Sequence, residues 1–418
     1  MKSNFKKWFT FFILVLGGGT IYKLPWLKSV FYVQMQEFMG LSHTQIGALM
    51  SANGLVTTFG FGAAIYFTDK MSKKKSLPIS LILTGLIGMY IAVFFPGYSQ
   101  LLIAWILFGL TCDMMFWPVL LKSVKSLGGP EEQGTLFGFL ETGRGIVDTV
   151  VVSIGLFIFT FFGGNAFSFK LSIGFFSVVM IVVGIISYFC LEDDKIEKTS
   201  DSGEKKEKLD YKAALKMPEI WVISFNVFAV YCVYCGLTYF MPFLSDIYKL
   251  PVSLVSAYGI INAYGLKILG GPIGGLLADK KLKSSSKYLQ YSFLVTVVVL
   301  GAFIFLPHQS MNVYFGMIMT LTIGAIVFSQ RAIFFAPVGE IEIPSEISGS
   351  AMAMASFIGY APGMFCYALY GSILDHVPGV NGYKIVFGLM VAFAALGFFL
   401  SSYLVKIVKK KKAEKTQA

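Results

Sequence analysis

Glu141, Arg144 and Asp148 fall within one apolar run at i−3, i and i+4, so a helix carries all three on a single face. These residue types suit the handling of an anion. A guanidinium is a permanently charged planar fork that grips a carboxylate or another oxyanion with two parallel hydrogen bonds. A neighbouring carboxylate can take up or release a proton. Arg144 and Arg331 are the only arginines among the 34 Lys+Arg of the chain; every loop cation is a lysine. Burying a charge in hydrocarbon costs ~2.5–3.5 kcal/mol on the gentlest scale, so charges deep in apolar runs are functional candidates. By distance from the nearest run end these are Lys23, Asp113, Glu141, Arg144, Asp148 and Lys267. Half are basic and half acidic, a balance that points to pairing around a polar cavity. Two arrangements fit the triad. One is an internal salt-bridge ladder that hides Arg144; the other leaves Arg144 open to an anion, with one carboxylate free to change protonation.

Arg144, Lys23 and Lys267, with the aromatics Tyr22, Tyr264 and Tyr360, make the expected substrate-binding set. Lys23 follows Gly17-Gly18-Gly19 and precedes Pro25, a Gly/Pro interruption of the kind that walls a site at mid-membrane depth. Lys28 lies nearer its run end and is expected to snorkel outward. Asp113, Glu141 and Asp148 are the expected proton-coupling set, since a desolvated carboxylate is suited to that task. Asp113 alternatively pairs with Arg144 or Lys23. Arg331 stands near the end of its run, and Glu340, Glu342 and Glu346 follow in a segment without lysine. Arg331 and Glu340 are expected to form a gate, with Asp69, Lys70, Asp279 and Lys280 as matching latches. Such ion pairs hold one conformation and break in another. Tyr231 and Tyr234 are further aromatics able to line a cavity. Gly17-Gly18-Gly19 is no phosphate loop, for no Gly-Lys-Ser/Thr follows. No His/Cys cluster has metal spacing, and Cys232 and Cys235 read as small packing residues. Neither a cofactor, a metal nor an enzymatic activity is expected.

Helices must position these groups. The 418 residues are 56% hydrophobic and only 14% charged, whereas a soluble domain is about a quarter charged. That excludes a cytosolic enzyme, a nucleic-acid-binding domain and a disordered chain. Twelve apolar segments follow one another, each long enough to cross ~30 Å of hydrocarbon as a helix. The expected fold class is an all-α membrane protein, twelve transmembrane helices in two pseudo-symmetric six-helix bundles around a central cavity. Lysines crowd alternate loops, so both termini are expected to be cytoplasmic, and the same rule accounts for the net charge of +11. The polar stretch 191–217 reads as a cytoplasmic linker between an N-terminal bundle, 1–190, and a C-terminal bundle, 218–418. Thr68-Asp69-Lys70 and Gly275-Leu276-Leu277-Ala278-Asp279-Lys280 recur half a chain apart, as a duplicated six-helix unit requires.

With that repeat in view, the chain resembles a major facilitator superfamily transporter over essentially its full length. The resemblance rests on the span count, the central loop and the Gly-x-x-x-Asp-(Arg/Lys) signature. The second copy, Gly275 to Lys280, matches; in the first, Ile65 holds the glycine position. Three patches resemble the YihN-like bacterial porters: Phe137 to Gly145, Arg331 to Glu340, and Gly349 to Pro362. Tyr22-Lys23 and Gly40-Leu41-Ser42 are more distantly similar to the organophosphate and organic-anion porters. Those exchangers carry a second embedded arginine in span seven, absent here near Tyr231 to Tyr234. The resemblance implies a bacterial inner-membrane symporter, a monomer in the lipid bilayer. Its partners would be a small-molecule substrate and protons, not nucleic acid. The expected cargo is a small organic anion (a carboxylate, sulfonate or phosphate ester) moved by alternating access. The alternative is a neutral or zwitterionic solute, such as a sugar or nucleoside, with the buried charges paired internally.

Overall fold

A backbone in hydrocarbon must satisfy every N–H and C=O within its own segment, which selects the helix. The computed structural model describes residues 2–67, 72–129, 132–192, 215–341, 343 and 345–417, and among these the regular elements are all helical. Ten helices among the described residues are long and apolar enough to cross a membrane. The first two apolar segments are not among them, and both are locally polar or broken. The first segment splits into α1, Lys2–Thr20, and α2, Lys28–Met39, around the turn at residues 21–27. The second, α3 (His43–Phe67), carries Ser51, Asn53, Thr57 and Thr58 among its apolar residues.

The remaining helices are α4 (Lys73–Phe94), α5 (Tyr98–Lys125), α6 (Gln133–Phe161), α7 (Ala166–Cys190), α8 (Pro218–Asp246), α9 (Val252–Leu282), α10 (Ser285–Ile304), α11 (Val313–Ile333), α12 (Ser345–Tyr360), α13 (Cys366–His376) and α14 (Val380–Gln417). Their ends carry ordinary stop and start signals. Gly40 closes α2 in the left-handed region, φ 64°. Ser42 and Gln45 exchange hydrogen bonds at the start of α3, a capping box. Phe94, Phe157, Phe161, Phe189 and Phe399 are exposed on the helices; rings that would aggregate in water lie without cost against acyl chains.

The chain divides into two compact units. Unit 1 is Met1–Ser200 with Pro251–Tyr264, and unit 2 is Asp201–Leu250 with Gly265–Ala418. The start of α9 joins unit 1 through a buried hydrogen bond, 2.8 Å, from Gln34 Nε2 to Ser256 Oγ. Within unit 1, α1 runs against α6 with almost no clearance. A Cβ on Gly19 would lie 2.6 Å from Val147 Cβ, and one on Gly18 would lie 3.0 Å from Arg144 Cδ. The turn after α1 is pinned by Trp105, whose Nε1 donates to Pro25 O at 3.1 Å. Within unit 2, α9 meets α11 at Gly270 and Gly274, where an added Cβ would strike the backbone of Phe328 and Ser329.

Candidate functional site

In unit 1, the break after α1 places Tyr22 and Lys23, and α6 places Glu141, Arg144 and Asp148. Lys23 is buried; its Nζ pairs with Asp148 and lies 4.3 Å from the centroid of the Tyr264 ring. The triad on α6 is therefore not a single ladder. Asp148 serves Lys23, and Arg144 turns to Glu141, Nη1 to Oε1 at 2.7 Å. Arg144 Nε donates to Gly18 O at 3.1 Å, an approach only a helix without side chains at that point allows. The guanidinium lies 4.4 Å from the centroid of Trp117 and 5.9 Å from that of Tyr22. The side chain of Glu141 is 51% exposed, against 8% for Arg144, so the partner of this buried cation is itself open to exchange.

Asp113 is paired with neither Arg144 nor Lys23, contrary to the alternative its isolation in the sequence suggested. Oδ2 accepts from Thr57 Oγ1 at 2.7 Å and Oδ1 from the Tyr22 hydroxyl at 3.1 Å. It is a buried carboxylate held by neutral donors. Thr84, Thr111 and Cys112 form the polar cluster beside it, with Thr84 Oγ1 donating to Thr111 Oγ1 at 2.8 Å. Asp113 sits in a π-helical stretch of α5, Gly109–Phe116, and Tyr264 in another, Ile261–Gly265 of α9. Such stretches recur at functional sites because the extra residue per turn re-aims side chains. Lys28 does not snorkel: it is buried, 5.1 Å from the Trp26 ring centroid.

Unit 2 holds Arg331, Tyr360 and Lys267. The Arg331 guanidinium stacks on Tyr234, 3.8 Å from the ring centroid, with Tyr231 at 5.6 Å and Tyr360 edge-on to Tyr231 at 5.1 Å. Of the expected gate residues, Glu340 accepts at Oε2 from Ser286 N at 2.9 Å and Ser286 Oγ at 2.5 Å, capping α10, and forms no ion pair with Arg331 among the described residues. Lys267 is exposed on α9, and Asp279 and Lys280 are exposed in the π-helical stretch Leu277–Leu282. Among the described residues Asp279 and Lys280 form no ion pair. Asp69, Lys70 and Glu342 lie outside the described residues. Cys232 faces Cys366, Sγ to Sγ 3.7 Å, and none of the five cysteines is in a disulfide.

Thr57, Trp117 and the Gly18 carbonyl are site members that sequence reading missed. Trp117 stands four residues beyond Asp113 in the same run, a signal that was available; the backbone carbonyl gives none. Two ion pairs outside the spans were also missed. Lys7 pairs with Glu132 at 2.8 Å and Lys6 with Glu192 at 2.6 Å. The hydrogen bond from each lysine holds its glutamate below the usual carboxylate range.

A family model described as Major Facilitator Superfamily matches residues 8–367. Inner membrane protein YihN of Escherichia coli (strain K12) is 55% identical over 413 residues, 98% of each chain. A hexose-6-phosphate:phosphate antiporter of Salmonella typhimurium is 23% identical across 97% of this chain and 93% of its own. Among solved structures, the nucleoside transporter NupG superposes with a TM-score of 0.71 at 15% identity, covering 97% of this chain and 99% of that one, a likeness of fold.

Proposed function

The chain belongs to the Major Facilitator Superfamily and is a multi-pass membrane transporter; from that premise we propose that its cargo is a small organic anion, moved with protons by alternating access. Twelve spans in two six-helix bundles, both termini cytoplasmic, a monomeric state and an inner-membrane location complete the proposal. The observation that carries the anion is the setting of Arg144. Its charge is buried and braced by Trp117 and Gly18 O, while its acidic partner among the described residues, Glu141, is half exposed. An incoming carboxylate, sulfonate or phosphate ester replaces Glu141 on the guanidinium edge and keeps the charge satisfied throughout. A relative named as a hexose-6-phosphate:phosphate antiporter supports the same substrate class. For the proton, Asp113 is favoured over Glu141 and Asp148, because both of those neutralise cations and Asp113 neutralises none among the described residues.

A second reading is a neutral or zwitterionic solute, such as a sugar or nucleoside. It is favoured by the internal neutralisation of Lys23 by Asp148 and of Arg144 by Glu141. Purified protein in liposomes separates the two, by uptake in competition with anionic and neutral solutes. The anion reading expects inhibition by the anions alone and loss of uptake in Arg144→Gln, with the variant still folded and inserted. Wild-type uptake by that variant removes Arg144 from the site.

A further inference from the structure

Unit 2 keeps the other arginine of the chain beside aromatic rings, with no acid paired to it among the described residues. Arg331 occupies the last turn of α11 and presses its guanidinium face on Tyr234. Tyr231 and Tyr360 extend that aromatic wall, and Phe334 and Phe335 back Tyr360 at 6.2 and 6.0 Å. Among the described residues no carboxylate pairs with Arg331, and its Nε is buried without a hydrogen-bond partner. Nor does a hydrogen bond from the hydroxyl of Tyr231, Tyr234 or Tyr360 occur among the described residues. All four side chains are half-buried, so the cluster has an accessible side.

Buried polar groups are ordinarily satisfied, and an orphaned donor on a charged group is the costliest exception. Ring faces stabilise the cation from above but offer nothing to N–H bonds directed outward in the guanidinium plane. The unmet Nε of Arg331 thus stands in one cluster with three phenols that make no hydrogen bond of their own among the described residues, and the cluster lacks an acceptor. We propose that Arg331, Tyr231, Tyr234 and Tyr360 form an oxyanion-binding subsite of unit 2, selective for a tetrahedral oxyanion such as the phosphoryl group of a monoester. The guanidinium edge fills two oxygens in the bidentate manner. A carboxylate is exhausted by that contact, whereas a tetrahedral group keeps a third oxygen for the hydroxyls. The subsite rests on the anion-transport reading and narrows its substrate class.

The test is thermal melting of the full-length protein in detergent, titrated with inorganic phosphate and, separately, acetate, since a ligand that binds the folded state raises Tm. Phosphate is expected to stabilise the wild type more than acetate does. Arg331→Lys keeps the charge and loses the fork, so its apparent phosphate affinity falls roughly tenfold or more. Tyr234→Phe, which keeps the ring, weakens phosphate by a smaller factor. Equal phosphate affinity in wild type and Arg331→Lys overturns the subsite and leaves the anion reading standing. So does binding lost in Arg144→Gln but unchanged in Arg331→Lys. Equal stabilisation by acetate and phosphate overturns the tetrahedral selectivity. No stabilisation by either anion overturns the subsite, and failure of anions to compete for liposome uptake separately overturns the reading beneath it. Should Arg331→Lys not fold, unchanged phosphate affinity in both Tyr234→Phe and Tyr360→Phe overturns the proposal.

Discussion

Asp148→Asn tests whether the Lys23–Asp148 pair is as dry as its geometry implies. The side chains of the pair are 1% and 6% exposed. Removing the carboxylate strands an ammonium that still lies against the Tyr264 face, and breaking a buried pair in this way costs about 3–5 kcal/mol. Lys23→Met strands the carboxylate instead and falls in the same range. Replacing both partners by apolar residues of similar volume, Lys23→Met with Asp148→Leu, leaves no stranded charge, so the double variant stays within ~1 kcal/mol of wild type. The coupling energy of the cycle is then several kcal/mol, far above the ~0.2–1 kcal/mol of exposed pairs. The assay is denaturation in mixed micelles with rising SDS, read by tryptophan fluorescence. Trp105 is a suitable reporter because it holds Pro25 beside Lys23. If both single variants lie within ~0.5 kcal/mol of wild type, as surface substitutions do, water reaches the pair and the reasoning fails.

Asp113→Asn fixes the site in its neutral form, so counterflow exchange should persist while accumulation driven by a pH gradient is lost. Gradient-driven accumulation at wild-type level would move the proton site elsewhere. His308, in the loop after α10, has its ring against Phe243 and Phe303 and its Nδ1 3.0 Å from the Tyr248 hydroxyl. Burial, aided by Lys384, lowers its pKa from the ordinary value. The unfolded chain thus binds its proton first, and this contribution is complete above about pH 6.5 and lost as pH falls below it. Thermal melts from pH 7.5 to 5 should show a smaller loss for His308→Gln than for wild type; parallel curves would remove His308 as a cause. Glu340→Gln weakens the cap on Ser286 and should cost about 0.5–2 kcal/mol, with hydrogen exchange speeding selectively in the first turn of α10. Unchanged exchange there would deny Glu340 a capping role.

How much of this was legible in the sequence depends on the range of the interaction. The helices follow from apolar run length, and the break at residues 21–27 follows from Gly17-Gly18-Gly19 and Pro25. The Arg144–Glu141 pair is local, three residues along one helix, and spacing suggested it. Lys23 and Asp148 were both picked as deep charges, but nothing in the sequence joins residues 125 positions apart. Asp113 was expected as a proton-coupling carboxylate, with a cation as the alternative partner; it meets two hydroxyls, because the π-helical stretch Gly109–Phe116 re-aims it and hydropathy carries no trace of that extra residue. Arg331 was assigned to a gate on the strength of the following glutamates. Its stacking on Tyr234 and the bonds from Ser286 to Glu340 are long-range contacts that the local run of charges does not reveal.

The tight seam between α1 and α6 shows where this chain has no room to vary. At Gly19 even one methyl group collides with Val147, and at Gly18 it presses on the stem of Arg144 and on Leu120. Gly275, the glycine that marks the repeated signature, has nothing within 4 Å of an added Cβ. A substitution library read for folding alone should find Gly275 permissive and Gly19 forbidden, the reverse of the order that motif matching would rank them.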